Sequence, residues 1–234
     1  MAGLFVTFEG TEGSGKSTQI QLLAKRIEGV GRKVISLREP GGTPIGEEIR
    51  HTLKHSAANT GMCAETELLL MNASRAQLVR EVIKPALEEN KVVLCDRFFD
   101  STFAYQVHGR GLDALQVQRV IDVAIGGTIP HLTLLLRVPI EVSENRRATR
   151  EVQASEKRDR FEEQDREFFK RVEQGYDSIA ASTDTRVRSI DATRSVEEVH
   201  EEIWRWVESL ICTPSTEGER AWKTIGEYRT SGPG

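Results

Sequence analysis

Five short, largely apolar runs divide the chain: Leu4–Phe8, Lys33–Leu37, Val92–Cys95, Leu132–Leu136 and Val187–Ile190. Runs of this length, rich in β-branched residues and with no polar alternation, read as strands buried on both faces. Between them, apolar residues recur at helical spacing over about 16–28, 44–55, 65–89, 101–107, 113–125, 140–150, 161–181 and 195–211. Strands alternating with helices predict an α/β protein: a parallel sheet with helices on both faces, in one domain over 1–212. In the last helix, Ser195 three residues before Glu198 forms a capping box. Val199, Ile203, Trp206, Val207 and Leu210 are spaced there as one buried stripe. From 213 to 234 the composition turns to Thr, Ser, Gly and Pro, which predicts a flexible tail, with Trp222 and Tyr228 able to dock it locally.

Composition narrows the classes. The chain has 234 residues, 38% hydrophobic and 29% charged, as in soluble globular proteins. A net charge of -4 gives no signal for nucleic acid or a membrane surface. No apolar run is long enough to span a bilayer, and no signal peptide precedes the first strand, so a cytoplasmic protein is expected. Cys63, Cys95 and Cys212 are too far apart for a zinc site or a disulfide framework. His51 and His55 stand four apart on a helix but have no evident third ligand.

The chemistry begins after the first strand. Gly10-Thr11-Glu12-Gly13-Ser14-Gly15-Lys16-Ser17, followed by Thr18, matches the G-x-x-x-x-G-K-[ST] phosphate-binding loop, set between a strand and a helix as that motif requires. Glycines let the backbone amides turn inward on an anion, and the helix start adds its positive dipole end. Lys16 can reach the β- and γ-phosphates, and Ser17 can ligate Mg²⁺.

Other candidates sit at the carboxyl ends of strands, where parallel sheets bind ligands. Glu9 ends the first strand; it either holds a metal-bound water or substrate hydroxyl, or lies in solvent. Arg38-Glu39-Pro40-Gly41-Gly42-Thr43 follows the second strand and leads to Arg50, which faces the same cleft or is a solvated helix residue. Val92–Cys95 runs into Asp96, in the manner of the second nucleotide motif, whose aspartate reaches Mg²⁺ or its water. Arg97 beside it can clamp an acceptor phosphate. Arg146, Arg147, Arg150, Arg158 and Arg160 crowd a polar segment, 146–160, that reads as an arginine-rich lid or as an exposed helix laced with ion pairs.

Taken in order, these marks resemble one family, bacterial thymidylate kinase, from about residue 4 to 211. They are Phe8-Glu9-Gly10, Arg38–Thr43, Arg75-Ala76-Gln77, Ile83-Lys84-Pro85-Ala86-Leu87, Asp96-Arg97, Ala104-Tyr105-Gln106, Asp159-Arg160-Phe161-Glu162 and Ile190-Asp191-Ala192-Thr193. The resemblance implies a P-loop NTPase fold with a five-stranded parallel sheet, a homodimer, and Mg·ATP-dependent phosphorylation of dTMP to dTDP. It implies that Lys16, Ser17 and the loop amides hold ATP together with Arg146, and that Ser17 and Asp96 support Mg²⁺. Arg97 would hold the dTMP phosphate and Glu9 would lie near the sugar hydroxyl and metal water. Arg75 and Thr102 would address the thymine edge, Tyr105 would crowd the sugar 2′ position, and Gln106 would lie by the sugar and phosphate. Pro40, Arg50, Met71 and Ser101 would complete the acceptor site. The phosphate loop carries no arginine, so the catalytic arginine would come from the lid, where Arg150 matches the family position.

Two features depart from that pattern. Met71 stands where the family has a phenylalanine stacked on thymine; a thioether packs on a base face without aromatic stacking. The lid is longer than usual between Arg150 and Asp159, which leaves Arg147 and Arg158 as substitutes for Arg150. The competing readings are another nucleotide kinase of the same fold, and a slowly hydrolysing nucleotide switch.

Overall fold

A computed structural model describes residues 2–154, 160–161, 164–181 and 185–212, the side chains of 150–154 and 212 excepted. The expected tail and the Arg158 position lie outside these residues. The five runs form five strands: β1 (Leu4–Glu9), β2 (Val34–Arg38), β3 (Val92–Asp96), β4 (Leu132–Arg137) and β5 (Val187–Asp191). All are parallel, in the order β2-β3-β1-β4-β5. Each strand ends one residue beyond its apolar run, on Glu9, Arg38, Asp96, Arg137 or Asp191. The apolar pattern stops at the last hydrophobic side chain, whereas the hydrogen-bonded ladder continues to the polar residue at the carboxyl edge.

The helices are α1 (Lys16–Gly29), α2 (Pro44–Lys54), α3 (Ala64–Leu78), α4 (Lys84–Glu88), α5 (Phe99–Thr102), α6 (Ala114–Ile125), α7 (Ile140–Ala154), α8 (Arg166–Ala181) and α9 (Val196–Cys212). One face of the sheet packs Ile20, Leu23 and Ile27 of α1 with Val199, Ile203 and Val207 of α9. The other packs Leu78, Val79 and Ile83 with Val117, Ile121 and Ile125 of α6. A third cluster, with Phe168, Phe169, Val172 and Tyr176 of α8, closes over Leu135 and Tyr105.

Several expectations change in detail. The helix expected over 65–89 is broken by a π-helical turn, Val79–Ile83, before α4. Pro85 in the first turn of α4 has no amide to donate, and the turn re-routes the ladder around it. The helix expected over 101–107 is α5 followed by a second π-helical turn, Phe103–Gly109. The helix expected over 161–181 begins at Arg166 as α8, and α7 runs to Ala154, so the first part of the expected lid is helix. On α9 the buried stripe uses Trp204 and Ile211, while Trp206 and Leu210 are exposed. Trp206 instead packs beneath the Arg188 guanidinium. The capping box forms as expected: the Glu198 amide donates to Ser195 Oγ, and the Ser195 amide donates to Glu198 Oε2.

Candidate active site

The sheet order reverses beside β1, so the carboxyl ends of β1 and β3 open the crevice where such sheets hold ligands. The phosphate loop leaves β1 there. Gly10 has φ +129°, and a Cβ on it would lie 2.3 Å from the Leu136 carbonyl oxygen, so only glycine fits against β4. Lys16 is folded into the loop, donating to the carbonyls of Gly10 (3.1 Å) and Thr11 (2.8 Å) and to Ser14 Oγ (3.4 Å). Burial, then the nearby Arg97 charge, pulls its ammonium down to about 8. A bound triphosphate would reverse that penalty by placing anionic charge beside it.

The β3 end supplies the metal candidates. Ser17 Oγ donates to Asp96 Oδ2 at 3.3 Å. The other oxygen, Asp96 Oδ1, is buried without a partner. A hydroxyl and one carboxylate with an unused oxygen, beside a phosphate loop, fit a Mg²⁺ ion that takes its remaining ligands from water and phosphate. Among the described residues no three His, Cys, Asp or Glu side chains cluster as a self-sufficient metal cage.

Glu9 is fully buried, not a solvated strand-end carboxylate. Its Oε1 accepts from the Phe98 amide (2.7 Å); its Oε2 accepts from Ser101 Oγ (2.5 Å) and the Tyr176 hydroxyl (3.1 Å). Burial, then the neighbouring Asp100 charge, raises its carboxyl from 4.5 to about 7. A buried acid shifted this way favours folding fully below pH 4.5, and that contribution is lost as pH rises through 7. Glu9→Gln is therefore expected to flatten the stability profile between those two values, as measured by urea melts across pH. An unchanged slope would mean that Glu9 stays ionised throughout.

Arg97 occupies the left-handed region at φ +72°. Its Nη1 donates to Ser101 Oγ (3.1 Å) and the Tyr176 hydroxyl (3.0 Å), and its Nη2 to Glu12 Oε2 and the Tyr105 hydroxyl (both 3.3 Å). Tyr176 was not legible in the sequence as a site residue, because it falls in the apolar stripe of α8 and reads as core. Gly175 beside it explains its reach. A Cβ there would lie 2.9 Å from Ala104 Cα, so glycine lets α8 approach the Phe103–Gly109 turn closely enough to bring Tyr176 onto Glu9 and Arg97.

Next to this cluster lies a cleft of about 620 Å³, counting the space open to solvent. Of the expected acceptor residues, Pro40, Met71, Arg75, Arg97, Ser101, Thr102, Tyr105 and Gln106 line it, and so does Glu12 of the phosphate loop. Glu9 lies behind Ser101, and Arg50 is turned to the Pro40 carbonyl at 2.9 Å. Glu39, Lys54, Phe161 and Phe169 also line the cleft and were not singled out. Glu39 and Phe161 fall within the Arg38–Thr43 and Asp159-Arg160-Phe161-Glu162 motifs, which carry no local signal that these side chains face the cleft. Arg75 is buried and donates to Glu39 Oε2 (2.8 Å), Asn72 Oδ1 (2.8 Å), Thr102 Oγ (2.9 Å) and the Phe98 carbonyl (3.1 Å). Burial raises the Glu39 carboxyl, and the Arg75 ion pair opposes that. Thr102 and Arg75 are thus set in place by one another.

From the lid side, α7 packs on the phosphate loop. Ser143 Oγ donates to the Glu12 carbonyl (2.7 Å), and Arg146 donates to the carbonyls of Gly13 (3.4 Å) and Ala192 (3.0 Å). The Arg147 guanidinium stacks on Phe169, 4.6 Å from the ring centre. The side chain of Arg150 lies outside the described residues.

Comparison with known proteins identifies the family. The family model described as thymidylate kinase matches residues 8–203. The chain belongs to the thymidylate kinase family. A thymidylate kinase of Halothermothrix orenii is 48% identical over 90% of this chain and 99% of its own length. One of Kosmotoga olearia is 46% identical over 89% of this chain and 96% of its own. Among solved structures, thymidylate kinase from Ehrlichia chaffeensis has a TM-score of 0.70 at 32% identity, covering 88% of this chain and all of that one. Membership makes the protein a nucleoside monophosphate kinase.

Proposed function

We propose that the protein transfers the γ-phosphoryl group of ATP to dTMP, giving dTDP and ADP. The observation that carries this reading is the contact between donor loop and acceptor cleft. Arg97 lines the cleft and bonds Glu12 of the phosphate loop, so an acceptor phosphate held by Arg97 lies beside a triphosphate held by Lys16. Ser17 and Asp96 would hold Mg²⁺, which would offset the negative charge of the phosphates. Positioning and charge neutralisation then supply the rate, with no strong base needed for an acceptor that is already anionic. The lid arginines, Arg150 foremost, would meet the charge on the transferring group, with Arg146 against the bound ATP.

Tyr105 is buried against Phe161 and Phe168, a rigid wall suited to excluding a ribose 2′-hydroxyl. A homodimer is part of the same reading. Leu69 of α3 and Leu115 and Val123 of α6 are exposed, and α3 packs against α6, so this face offers apolar surface to a second copy. A cytoplasmic location is part of the same reading; no helix among the described residues is long and apolar enough to cross a membrane. The net charge of -4 gives no signal for a nucleic-acid partner, and the anionic substrates of this reading are met by local cations, Lys16 and Arg97.

A coupled ADP-release assay with Mg·ATP and one monophosphate at a time (dTMP, dUMP, dCMP, dGMP, dAMP, UMP, CMP) tests the assignment. The expected result is strong preference for dTMP. A broad or shifted preference would keep the kinase chemistry but make Met71 the mark of a different base pocket.

A further inference from the structure

Glu67, on α3, is a fully buried carboxylate outside the phosphate-handling machinery. Its Oε1 accepts from Gln106 Nε2 (2.8 Å) and Arg110 Nε (3.1 Å); its Oε2 accepts from Arg110 Nη2 (2.9 Å) and Arg160 Nη1 (2.5 Å). Burying a carboxylate is costly unless it is paired and hydrogen-bonded. Here two guanidinium groups and an amide compensate it, from two separate parts of the chain. Both parts meet the acceptor cleft. Gln106 lines it directly, and Phe161, which follows Arg160, lines it from the opposite side of the sequence.

The cluster also fixes the path of the chain around Phe161. Arg160 donates to the Met62 carbonyl (3.2 Å), and Gln164 links the two arginines: its Nε2 donates to the Arg160 carbonyl (2.9 Å) and its Oε1 accepts from Arg110 (2.7 Å). The Phe161 ring then meets Tyr105 edge-on, with ring centres 6.5 Å apart. Met71 stands four residues after Glu67 on the same helix, at the spacing that puts both on one face, and it also lines the cleft. The one helix therefore carries an aliphatic cleft residue and the anchor for an aromatic one.

We propose that Glu67 is a positioning residue for acceptor binding: through Arg160 it sets Phe161 as an aromatic wall of the dTMP cleft. Phe161 thereby supplies aromatic surface to a cleft in which α3 offers a thioether. The inference rests on the acceptor reading of the cleft. Saturable transfer to dTMP by the unaltered protein tests that reading separately.

The test is a double-mutant cycle on steady-state kinetics, with Glu67→Gln, Phe161→Ala and the pair. Glu67→Gln keeps the shape and removes the charge that compensates both arginines. Each single variant is expected to raise the KM for dTMP about tenfold or more, with the KM for ATP changed far less. Because Glu67 acts through Phe161, the pair is expected to be little worse than Phe161→Ala alone. Multiplying effects would overturn the proposal. So would a Glu67→Gln protein that melts lower yet keeps its KM for dTMP. Should Glu67→Gln not fold, Arg160→Lys keeps the cation but loses the forked contact, and it must show the same selective rise in KM for dTMP.

Discussion

Lys16→Ala is expected to lower kcat on the order of 10²-fold or more, the largest effect we foresee for one side chain. The ammonium is the one group in the described loop that carries full positive charge into the phosphate cradle. Its bonds to Gly10, Thr11 and Ser14 show that it is already held inside that cradle. Removing it deletes charge stabilisation where phosphoryl transfer develops charge, and it frees two loop carbonyls to repel an incoming anion. Lys16→Met separates the two contributions, because it keeps most of the stem while losing the charge. Both variants should fold, since their packing loss is confined to the loop. Rapid-quench kinetics at saturating ATP provide the measurement; near-normal turnover in Lys16→Met would remove Lys16 from the chemistry.

Arg97→Ala is expected to cut kcat/KM for dTMP by a comparable factor, mainly through the acceptor. The guanidinium gathers Ser101, Tyr105, Tyr176 and Glu12 into one contact set, so its loss removes a phosphate clamp and loosens the link between cleft and loop. It also leaves Glu9 without the nearby cation that holds its carboxyl down, so that group rises further. Part of any effect belongs to the backbone, because φ is +72° and alanine tolerates that region poorly. Arg97→Asn is the control, since asparagine visits the left-handed region more readily and brings no charge. If Arg97→Asn binds dTMP as the unaltered protein does, the clamp lies elsewhere.

Much of this architecture was legible because its signals are local. The phosphate loop is a contiguous motif, and each strand is a contiguous apolar run. The strand ends were short by one residue because the hydrophobic pattern cannot report a polar residue that stays in the ladder. Trp206 reads as core and Trp204 does not because both stand at helical spacing from the stripe of Val199, Ile203 and Val207 but on its opposite flanks, and periodicity alone does not say which flank the sheet covers. Tyr176, Glu39 and Glu67 escaped for a different reason. Their roles come from partners 36 to 167 positions away, as in Arg75 with Glu39 and Tyr176 with Glu9, and no periodicity encodes such pairs. Glu67 did carry one clue: it directly precedes the apolar run Leu68-Leu69-Leu70-Met71, where an acid that proves buried requires a cation. Arg75 was recognised through the family resemblance, but only the fold shows that its donors are turned to Glu39, Asn72, Thr102 and Phe98.

The most direct test of the central claim follows the phosphoryl group itself. ATP labelled on the γ-phosphate is incubated with the protein, Mg²⁺ and dTMP, and the products are separated. The expected result is label in dTDP, formed in equal amount with ADP and dependent on dTMP. Label appearing as inorganic phosphate, with dTMP unchanged, would contradict it and make the protein a nucleotide hydrolase.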